Sequence, residues 1–471
     1  MKYFSLLFFI LLFTKANAQP AYTQANYPYD SIVNISYGTA VNYAGNTDTL
    51  LMDIYKPHGD GNCLRPVIVL VHGGSWIGGS KADVDLVYMS RHLAQMGWVV
   101  ADINWRLGTH KTSNYTMYGF CNTTISAPCG YICDSSEIIR ANFRGMQDTK
   151  GAIRFMKMRH LLDSSDVNNV FIAGESAGGF VCFATAFMDQ PNEKPADCFA
   201  IANAPTPDPD FATYGCNPSV ISYARPDLGS IDGTLNIGTY DAKIKGIGNF
   251  FGGVMDLSIF NQAADTPVIY MFHQGSDVVV DYNYNQILGR INWECYAQSN
   301  VCQQYYFYPH AYGSEGLRQY FVSLGSNAPV YQAEIVSNFN YMNDCFANGH
   351  SIDNVQTRMV NMATFFSPVI TASGNDPLTN CLNMGIAQPQ PEILFSISPN
   401  PASDNFGIHF AKTIHNPNVK IYSPVGELIF EKQFTGELQQ LELQQNLPAG
   451  TYFLSVESNF SRSTGKFIIT K

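Results

Sequence analysis

Residues 169–179 read Asn-Val-Phe-Ile-Ala-Gly-Glu-Ser-Ala-Gly-Gly, and this stretch decides the fold. Its apolar first half predicts a buried β-strand, and residues 180–188 after it predict a helix. Ser176 stands between the two elements with glycines on both sides. A strand, a tight glycine-flanked turn and a helix, in that order, predict an α/β sheet with a serine hydroxyl exposed at its edge.

A serine in such a turn is placed to act as a nucleophile. Glycine is frequent, with 38 in 471 residues, so the G-x-S-x-G pattern alone is a modest signal. The strand before it and the helix after it carry the argument. The alternative is an ordinary strand-to-helix turn that happens to contain a serine.

A second motif lies about a hundred residues upstream, where a buried strand is predicted over residues 65–71. It runs into the sequence His-Gly-Gly-Ser-Trp at 72–76. The glycine pair leaves backbone N–H groups free to face a ligand. We expect the N–H groups of Gly74, Ser75 and Ala177 to form an oxyanion hole, the last at a helix N-terminus that favours negative charge. His72 is expected to shape this loop rather than to act as a base.

The acid and the base of a catalytic triad are expected after the serine, in that order. Asp277 follows the predicted strand 267–272 and is the preferred acid, with Asp281 as the alternative. His350 precedes a predicted helix over residues 352–366 and is the preferred base. His310, which follows a predicted strand over 303–308, is the competing candidate.

Several of these motifs resemble the α/β-hydrolase carboxylesterases, in particular the bacterial esterase and lipase group with an H-G-G-[GS]-W loop. The resemblance rests on Leu-Met-Asp-Ile-Tyr-Lys-Pro at 51–57, the loop at 72–76, Asn-Trp-Arg-Leu at 104–107 and the Ser176 turn. It covers residues 53–369 and implies a doubly wound, mostly parallel sheet. Some members act on acetyl or feruloyl esters of plant polysaccharides. The chain departs from the family at a cysteine-containing insertion, 109–134, and a long irregular stretch, 205–264.

The N-terminus and the cysteines indicate export. Residues 1–18 read as a signal peptide with cleavage after Ala18, and its apolar part is too short to span a bilayer. We therefore expect no integral membrane segment after signal removal. Eleven cysteines fit an oxidising compartment, with a bridge predicted between Cys295 and Cys302 and a buried free thiol at Cys182. No cysteine and histidine spacing predicts a metal site.

The composition permits a large core and disfavours some partners. The chain is 46% apolar and 14% charged, with a net charge of -11 that argues against nucleic acid as a partner. We expect a catalytic domain over 19–386, a Pro/Gln linker over 387–392 and a small antiparallel β sandwich over 393–471.

The predicted sandwich resembles the C-terminal sorting domain of the type IX secretion system of Bacteroidota. The resemblance rests on Ser-Pro-Asn-Pro-Ala at 398–402, Val-Lys-Ile-Tyr at 419–422, Leu-Pro-Ala-Gly-Thr-Tyr at 447–452 and Gly-Lys-Phe-Ile-Ile at 465–469. It implies a secreted or cell-surface protein with the secretion machinery as a partner. An ordinary adhesion or carbohydrate-binding sandwich is the alternative.

Together these features predict a secreted carboxylic ester hydrolase with the triad Ser176, His350 and Asp277, and no cofactor. Its substrate would be an ester, with a polymer or a lipid as the candidates. Two other classes stay open: a secreted peptidase of the prolyl type on the same fold, and a non-catalytic, hydrolase-like binding protein.

Overall fold

The structure, a computed structural model, describes most of the chain. The described residues are 21–110, 135–201, 224–261, 266–290, 308–336, 349–370, 395–424, 426–458 and 461–470. The chain divides into two compact units, Met1–Cys381 and Leu382–Lys471. The predicted signal peptide lies outside the described residues, and so do residues 111–134 of the predicted insertion 109–134.

The first unit alternates strands and helices. Its described strands are β1 (Tyr29–Val41), β2 (Thr47–Pro57), β3 (Arg65–Val71), β4 (Val99–Ile103), β5 (Ser165–Glu175), β6 (Gly246–Phe250), β7 (Val268–Gln274), β8 (Tyr284–Gln286), β9 (His310–Tyr312) and β10 (Tyr331–Val336). Its described helices are α1 (Val84–Gln95), α2 (Ser135–Met158), α3 (His160–Asp163), α4 (Ala177–Phe187), α5 (Ser314–Leu324) and α6 (Val355–Phe366).

Eight of these strands form one sheet in the order β1-β2-β4-β3-β5-β6-β7-β10. From β4 to β10 all neighbours pair in parallel, whereas β2 runs antiparallel to both β1 and β4. The predicted α/β fold with a mostly parallel sheet is confirmed. In such a sheet the carboxyl ends of the strands share one edge, where active sites collect.

The sheet is covered on both faces, because its strands are apolar at successive positions. Val67, Val69 and Val71 of β3 pack in one hydrophobic cluster with α2, α4 and α5. Ile68 and Leu70 point the other way, into a second cluster with α1 and α6. The core therefore has two layers, one on each face of the sheet. Strands β5 and β7 lie between these layers and lead to the site.

The stretch 205–264, predicted to be irregular, contains the central strand β6, so that prediction is wrong for this part. Two of the five residues of β6 are Gly246 and Gly248, which weaken any strand pattern. A Cβ at Gly248 would lie 2.3 Å from Met362 Sδ on α6. It would also lie 2.8 Å from Ala173 Cβ on β5, so a side chain at this position would displace both neighbours.

The second unit is all β, as predicted. Its strands are β11 (Phe395–Ser398), β12 (Asn405–His415), β13 (Asn418–Tyr422), β14 (Leu428–Gln433), β15 (Glu437–Gln444), β16 (Gly450–Ser458) and β17 (Ser461–Ile469). They form an antiparallel three-stranded sheet, β11-β12-β15, and an antiparallel four-stranded sheet, β14-β13-β16-β17. Inward side chains of both sheets, among them Ile408 and Leu454, share one core.

The described cysteines are few. Cys182 on α4 is a buried free thiol, as predicted, and Cys198 is another. Cys63 is disulfide-bonded. The predicted bridge between Cys295 and Cys302 lies outside the described residues and stays a prediction. Separately, none of the helices in the described ranges combines the length and apolar character needed to cross a membrane.

Candidate active site

The site is built on the turn between β5 and α4. Ser176 is the single residue between them and has φ 49° and ψ −122°, a conformation that non-glycine residues rarely adopt. Its N–H donates to Phe250 O on β6 at 2.9 Å, and its carbonyl accepts from Gly179 N at 2.9 Å. These bonds hold the strained turn, which presents the serine hydroxyl at the carboxyl edge of the sheet.

The glycines of the turn are required by close backbone contacts. A Cβ at Gly174 would lie 2.5 Å from the carbonyl of Gly178, and a Cβ at Gly178 would lie 2.1 Å from Val71 O. Either substitution would push α4 away from the sheet. The glycines of the G-x-S-x-G pattern are therefore needed for the packing of α4 on the sheet as well as for the turn.

His350 bridges Ser176 and Asp277. Its Nε2 lies 2.8 Å from Ser176 Oγ and its Nδ1 lies 2.8 Å from Asp277 Oδ2. Along the chain, His350 follows Ser176 by 174 positions and Asp277 by 73 positions. The structure thus brings together the three side chains that the sequence analysis selected, and their roles in catalysis are taken up below.

Asp277 is completely buried, accepts two backbone hydrogen bonds and lies against two histidines. Its Oδ1 accepts from the N–H groups of Val279 and Val280 at 2.8 and 3.0 Å. Its Oδ2 lies 2.8 Å from His350 Nδ1 and 3.2 Å from His273 Nε2. Burial by itself raises the pKa of this carboxyl, but the two histidines and the hydrogen bonds outweigh it, so the pKa lies below its ordinary value. The carboxylate is therefore ionised at neutral pH.

The loop that carries His350 is held against the Asp277 loop. A Cβ at Gly349 would lie 2.2 Å from Ser276 Oγ and 2.7 Å from Asp277 N, so only glycine fits. Gln274 Nε2 at the end of β7 donates to Ser351 O at 2.8 Å. The ring of Phe251 packs edge-on against the imidazole, with centroids 4.6 Å apart. The helix that follows begins at Val355, three residues later than predicted.

The alternative acid and base have other partners. Asp281 accepts from Asn283 N at 2.8 Å and pairs with Arg290 at 3.7 Å. His310 is exposed on β9 and stacks on Tyr284, with ring centroids 5.6 Å apart. The strand predicted over 303–308 falls almost entirely outside the described residues.

The loop at 72–76 touches the serine turn. A Cβ at Gly73 would lie 3.0 Å from Ser176 Cβ. Gly74, Ser75 and Trp76 have φ values of 107°, 54° and 62°, and Gly74 O accepts from Gly78 N at 2.9 Å. Within the described chain, the N–H groups of Gly74, Ser75 and Ala177 donate to no acceptor. Backbone N–H groups without an acceptor are what an oxyanion hole requires.

His72 supports this loop, as expected. Its side chain is buried, and its Nδ1 lies 2.7 Å from Gly73 O. Its ring stacks on Trp105 with centroids 5.4 Å apart. Burial lowers the pKa of His72 to about 4, so the ring is neutral at neutral pH. A neutral, buried imidazole suits a structural role.

Glu175, immediately before the serine, was missed by the sequence analysis. Its side chain is buried, and its Oε1 accepts from Gly73 N at 3.4 Å. Burial, with a further contribution from the charge of Asp83, raises the pKa of Glu175 to about 8. Its place inside the Gly-Glu-Ser-Ala-Gly-Gly motif was the available signal. His273, the second histidine on Asp277, was missed too.

A cavity of about 400 Å³ lies along α4 from Phe180 to Met188, and the triad residues are not among its lining. Its lining is mostly apolar and aromatic and includes Phe143, Phe180, Phe183, Ala184 and Val254. Phe180 also packs on Trp76 of the loop at 72–76, with centroids 5.3 Å apart. A cavity of this size and character accepts an apolar group of a small ligand.

Comparison with known families finds two matching segments. Residues 52–118 match a family model described as BD-FAE, and residues 396–470 match the secretion system C-terminal sorting domain. The predicted resemblance to an esterase family and to the secretion sorting domain is confirmed over these two segments. The sorting domain indicates a secreted or cell-surface protein, as predicted.

Individual relatives match in part. The chain is 24% identical over 137 residues to Esterase-5B of Drosophila persimilis, which is 29% of this chain and 21% of that protein. It is 27% identical over 142 residues to human bile salt-activated lipase, 29% of this chain and 16% of that protein. It is also 35% identical over 75 residues to an endo-acting ulvan lyase of Formosa agariphila, 16% of this chain and 14% of that protein.

The chain thus spans between 14% and 21% of the length of these curated relatives. Among solved structures, esterase 2 of Thermogutta terrifontis is similar at 15% identity and a TM-score of 0.40, covering 72% of this chain and 94% of that one.

Proposed function

We propose that the protein is a secreted carboxylic ester hydrolase that uses Ser176, His350 and Asp277 as a catalytic triad. One observation carries the proposal: His350 lies 2.8 Å from both Ser176 Oγ and Asp277 Oδ2. A general base needs that contact with the nucleophile, and its ring needs a partner that holds the tautomer. The match of residues 52–118 to an esterase family supports the same class.

The proposed reaction passes through an acyl-enzyme. Ser176 Oγ attacks the ester carbonyl carbon while His350 Nε2 takes the hydroxyl proton. The imidazolium then gives this proton to the leaving alcohol, and Asp277 stabilises the charged ring. In the second half, His350 takes a proton from the water that attacks the acyl carbon. It then gives this proton to Ser176 Oγ as the bond between Ser176 and the acyl group breaks, which releases the acid and restores the serine. These steps need no cofactor.

The negative charge of the tetrahedral intermediate would be held by the backbone N–H groups of Gly74, Ser75 and Ala177. They have no acceptor within the described chain, and Ala177 N lies at the start of α4. Fixed donors at such a point contribute on the order of 10² to 10³ each to the rate.

The substrate would be an ester with an apolar acyl or aryl part. The support is the cavity of about 400 Å³ beside α4, lined by Phe180 and Phe183. Export adds a second argument, since a secreted enzyme acts on molecules outside the cell, such as a polymer or a lipid. The type IX secretion machinery would be the partner of the tail, residues 393–471.

The decisive experiment compares the wild-type protein with Ser176→Ala and with Ser323→Ala, an exposed serine on α5. We expect the wild type and the control to hydrolyse p-nitrophenyl esters and to react with a fluorophosphonate probe. Ser176→Ala should lose both, with turnover reduced by about 10³-fold or more and an unchanged circular dichroism spectrum. A series of acyl chain lengths then measures how much of the cavity the substrate uses.

Other outcomes of this experiment point to the other classes. Cleavage of a chromogenic prolyl dipeptide without ester hydrolysis would indicate a peptidase. A folded wild-type protein that neither hydrolyses esters nor reacts with the probe would be a binding protein, and unchanged turnover in Ser176→Ala would remove the triad.

A further inference from the structure

The acid of the proposed triad has a second histidine on the same oxygen atom as the first. His273 is the sixth residue of β7 and is completely buried, four positions before Asp277. Its Nε2 lies 3.2 Å from Asp277 Oδ2, and Asp277 Oδ2 also lies 2.8 Å from His350 Nδ1. The proposed reaction uses His350 and leaves His273 without a role.

The hydrogen bonds of His273 define its tautomer. Its Nδ1 accepts from the backbone N–H of Ser314 at 3.3 Å and lies 3.1 Å from Ser314 Oγ. A backbone N–H can only donate, so Nδ1 carries no proton and the neutral ring carries it on Nε2. Asn249 Nδ2 donates to Ser314 Oγ at 3.3 Å, which leaves the serine proton for His273 Nδ1.

The proton on Nε2 therefore faces two acceptors, Val280 O at 2.9 Å and Asp277 Oδ2 at 3.2 Å. A hydrogen bond to a carboxylate oxygen stabilises its negative charge and makes that oxygen a weaker acceptor for other donors. In this site the other donor is His350 Nδ1. The strength of one contact thus limits the strength of the other.

We propose that His273 is a positioning residue that fixes and partly neutralises Asp277, and so tunes how tightly Asp277 holds the protonated ring of His350. The inference rests on the proposed function, because it assigns His350 as the base. Without the His273 donor, Asp277 would attract the imidazolium more strongly. The base would then stay protonated, and inactive, up to a higher pH.

Among the described residues, Arg290 is a charged neighbour of this pair. Arg290 donates through Nη1 to the carbonyls of Gly275 and Asp277 at 3.1 and 2.8 Å, and its Nε lies 3.7 Å from Asp281. From the side of β6, His350 meets the uncharged ring of Phe251. Because Arg290 binds backbone oxygens and Asp281, His273 is the group best placed to modulate the Asp277 carboxylate.

Two amide substitutions test the two ring nitrogen atoms of His273 one at a time. In His273→Asn, the amide oxygen replaces Nδ1 as acceptor for Ser314 N but no donor reaches Asp277. In His273→Gln, the amide nitrogen lies near the position of Nε2 and keeps that donor. The measurement is the pH dependence of kcat/KM for a p-nitrophenyl ester and of the rate of fluorophosphonate labelling.

We expect the acidic limb of both profiles to move to higher pH by roughly half a unit to one unit in His273→Asn. It should stay near the wild-type position in His273→Gln. Two variants that lose rate or thermal stability but keep the wild-type acidic limb would overturn the proposal, because a merely structural histidine gives that result.

A measurement on the wild type covers the case in which His273→Asn does not fold. Nitrogen chemical shifts of the ¹⁵N-histidine-labelled protein should show a buried ring protonated on Nε2, and a ring protonated on Nδ1 would refute the proposal. Failure of the proposed function is distinguishable, since the wild type itself would then neither hydrolyse esters nor react with the probe.

Discussion

At the scale of single residues, Glu175 combines a buried carboxyl with a pKa of about 8, raised mainly by burial. The ordinary pKa of a glutamate is 4.5. Between these values the unfolded chain has lost the proton and the folded chain keeps it, so stability falls as the pH rises from about 4.5 to about 8. We expect Glu175→Gln to remove this loss, on the order of a few kcal/mol at pH 8.

The measurement is thermal or urea unfolding of both proteins at several pH values from 5 to 9. The free energy of unfolding of Glu175→Gln, relative to that of the wild type, should increase as the pH rises. The increase should level off above about pH 8. Parallel stability curves would show that the carboxyl is already ionised in the folded protein.

The individual site residues differ in how well the sequence predicts them. Ser176, Asp277 and His350 could be selected because each follows or precedes a recognisable element in an order that this fold uses. The motif around Ser176 pointed to Glu175 but not to its role, which depends on a contact with Gly73 of another segment, and His273 is placed on Asp277 by the turn that follows β7. No local pattern records such a contact.

At the scale of elements, the loop before α6 decides whether His350 reaches its partners. A Cβ at Gly349 would meet Asp277 N at 2.7 Å, and a backbone atom cannot move aside as a side-chain end can. We expect Gly349→Ala to displace the loop and to reduce kcat about tenfold to a hundredfold, since small shifts of a base cost that much. Steady-state kinetics with a p-nitrophenyl ester measures this change.

Gly238→Ala is the matched control, because a Cβ there meets no atom within 4 Å. It should keep the wild-type kcat. Equal activity of both variants would mean that the loop absorbs the methyl group without moving His350.

Strand β6 was not predicted from the sequence, and its glycines explain why. Most of β3 and β7, and residues 170–173 of β5, are apolar runs, which predict buried strands. In β6, glycines replace the large side chains at positions 246 and 248, because Phe366 and Met362 of α6 occupy the space. The apolar surface that identifies a strand is here supplied by another element, more than a hundred residues away.

At the scale of the whole molecule, the hydrolase and the tail have separate hydrophobic cores. The clusters of the first unit contain no residue beyond Ile370, and the cluster of the second begins at Phe395. The proposed catalytic residues all belong to the first unit. Removal of residues 393–471 is therefore expected to leave kcat/KM within roughly twofold of the full chain, as for domains that fold independently.

The same deletion should change where the protein is found. In a host with the secretion machinery, the full chain should reach the medium or the cell surface, whereas the truncated chain should stay in the periplasm, because the tail matches a secretion sorting domain. Activity assays on cell fractions measure both properties together. Export of an active truncated chain would show that the tail is dispensable for sorting, and a folded but inactive one would place part of the catalytic function in the tail.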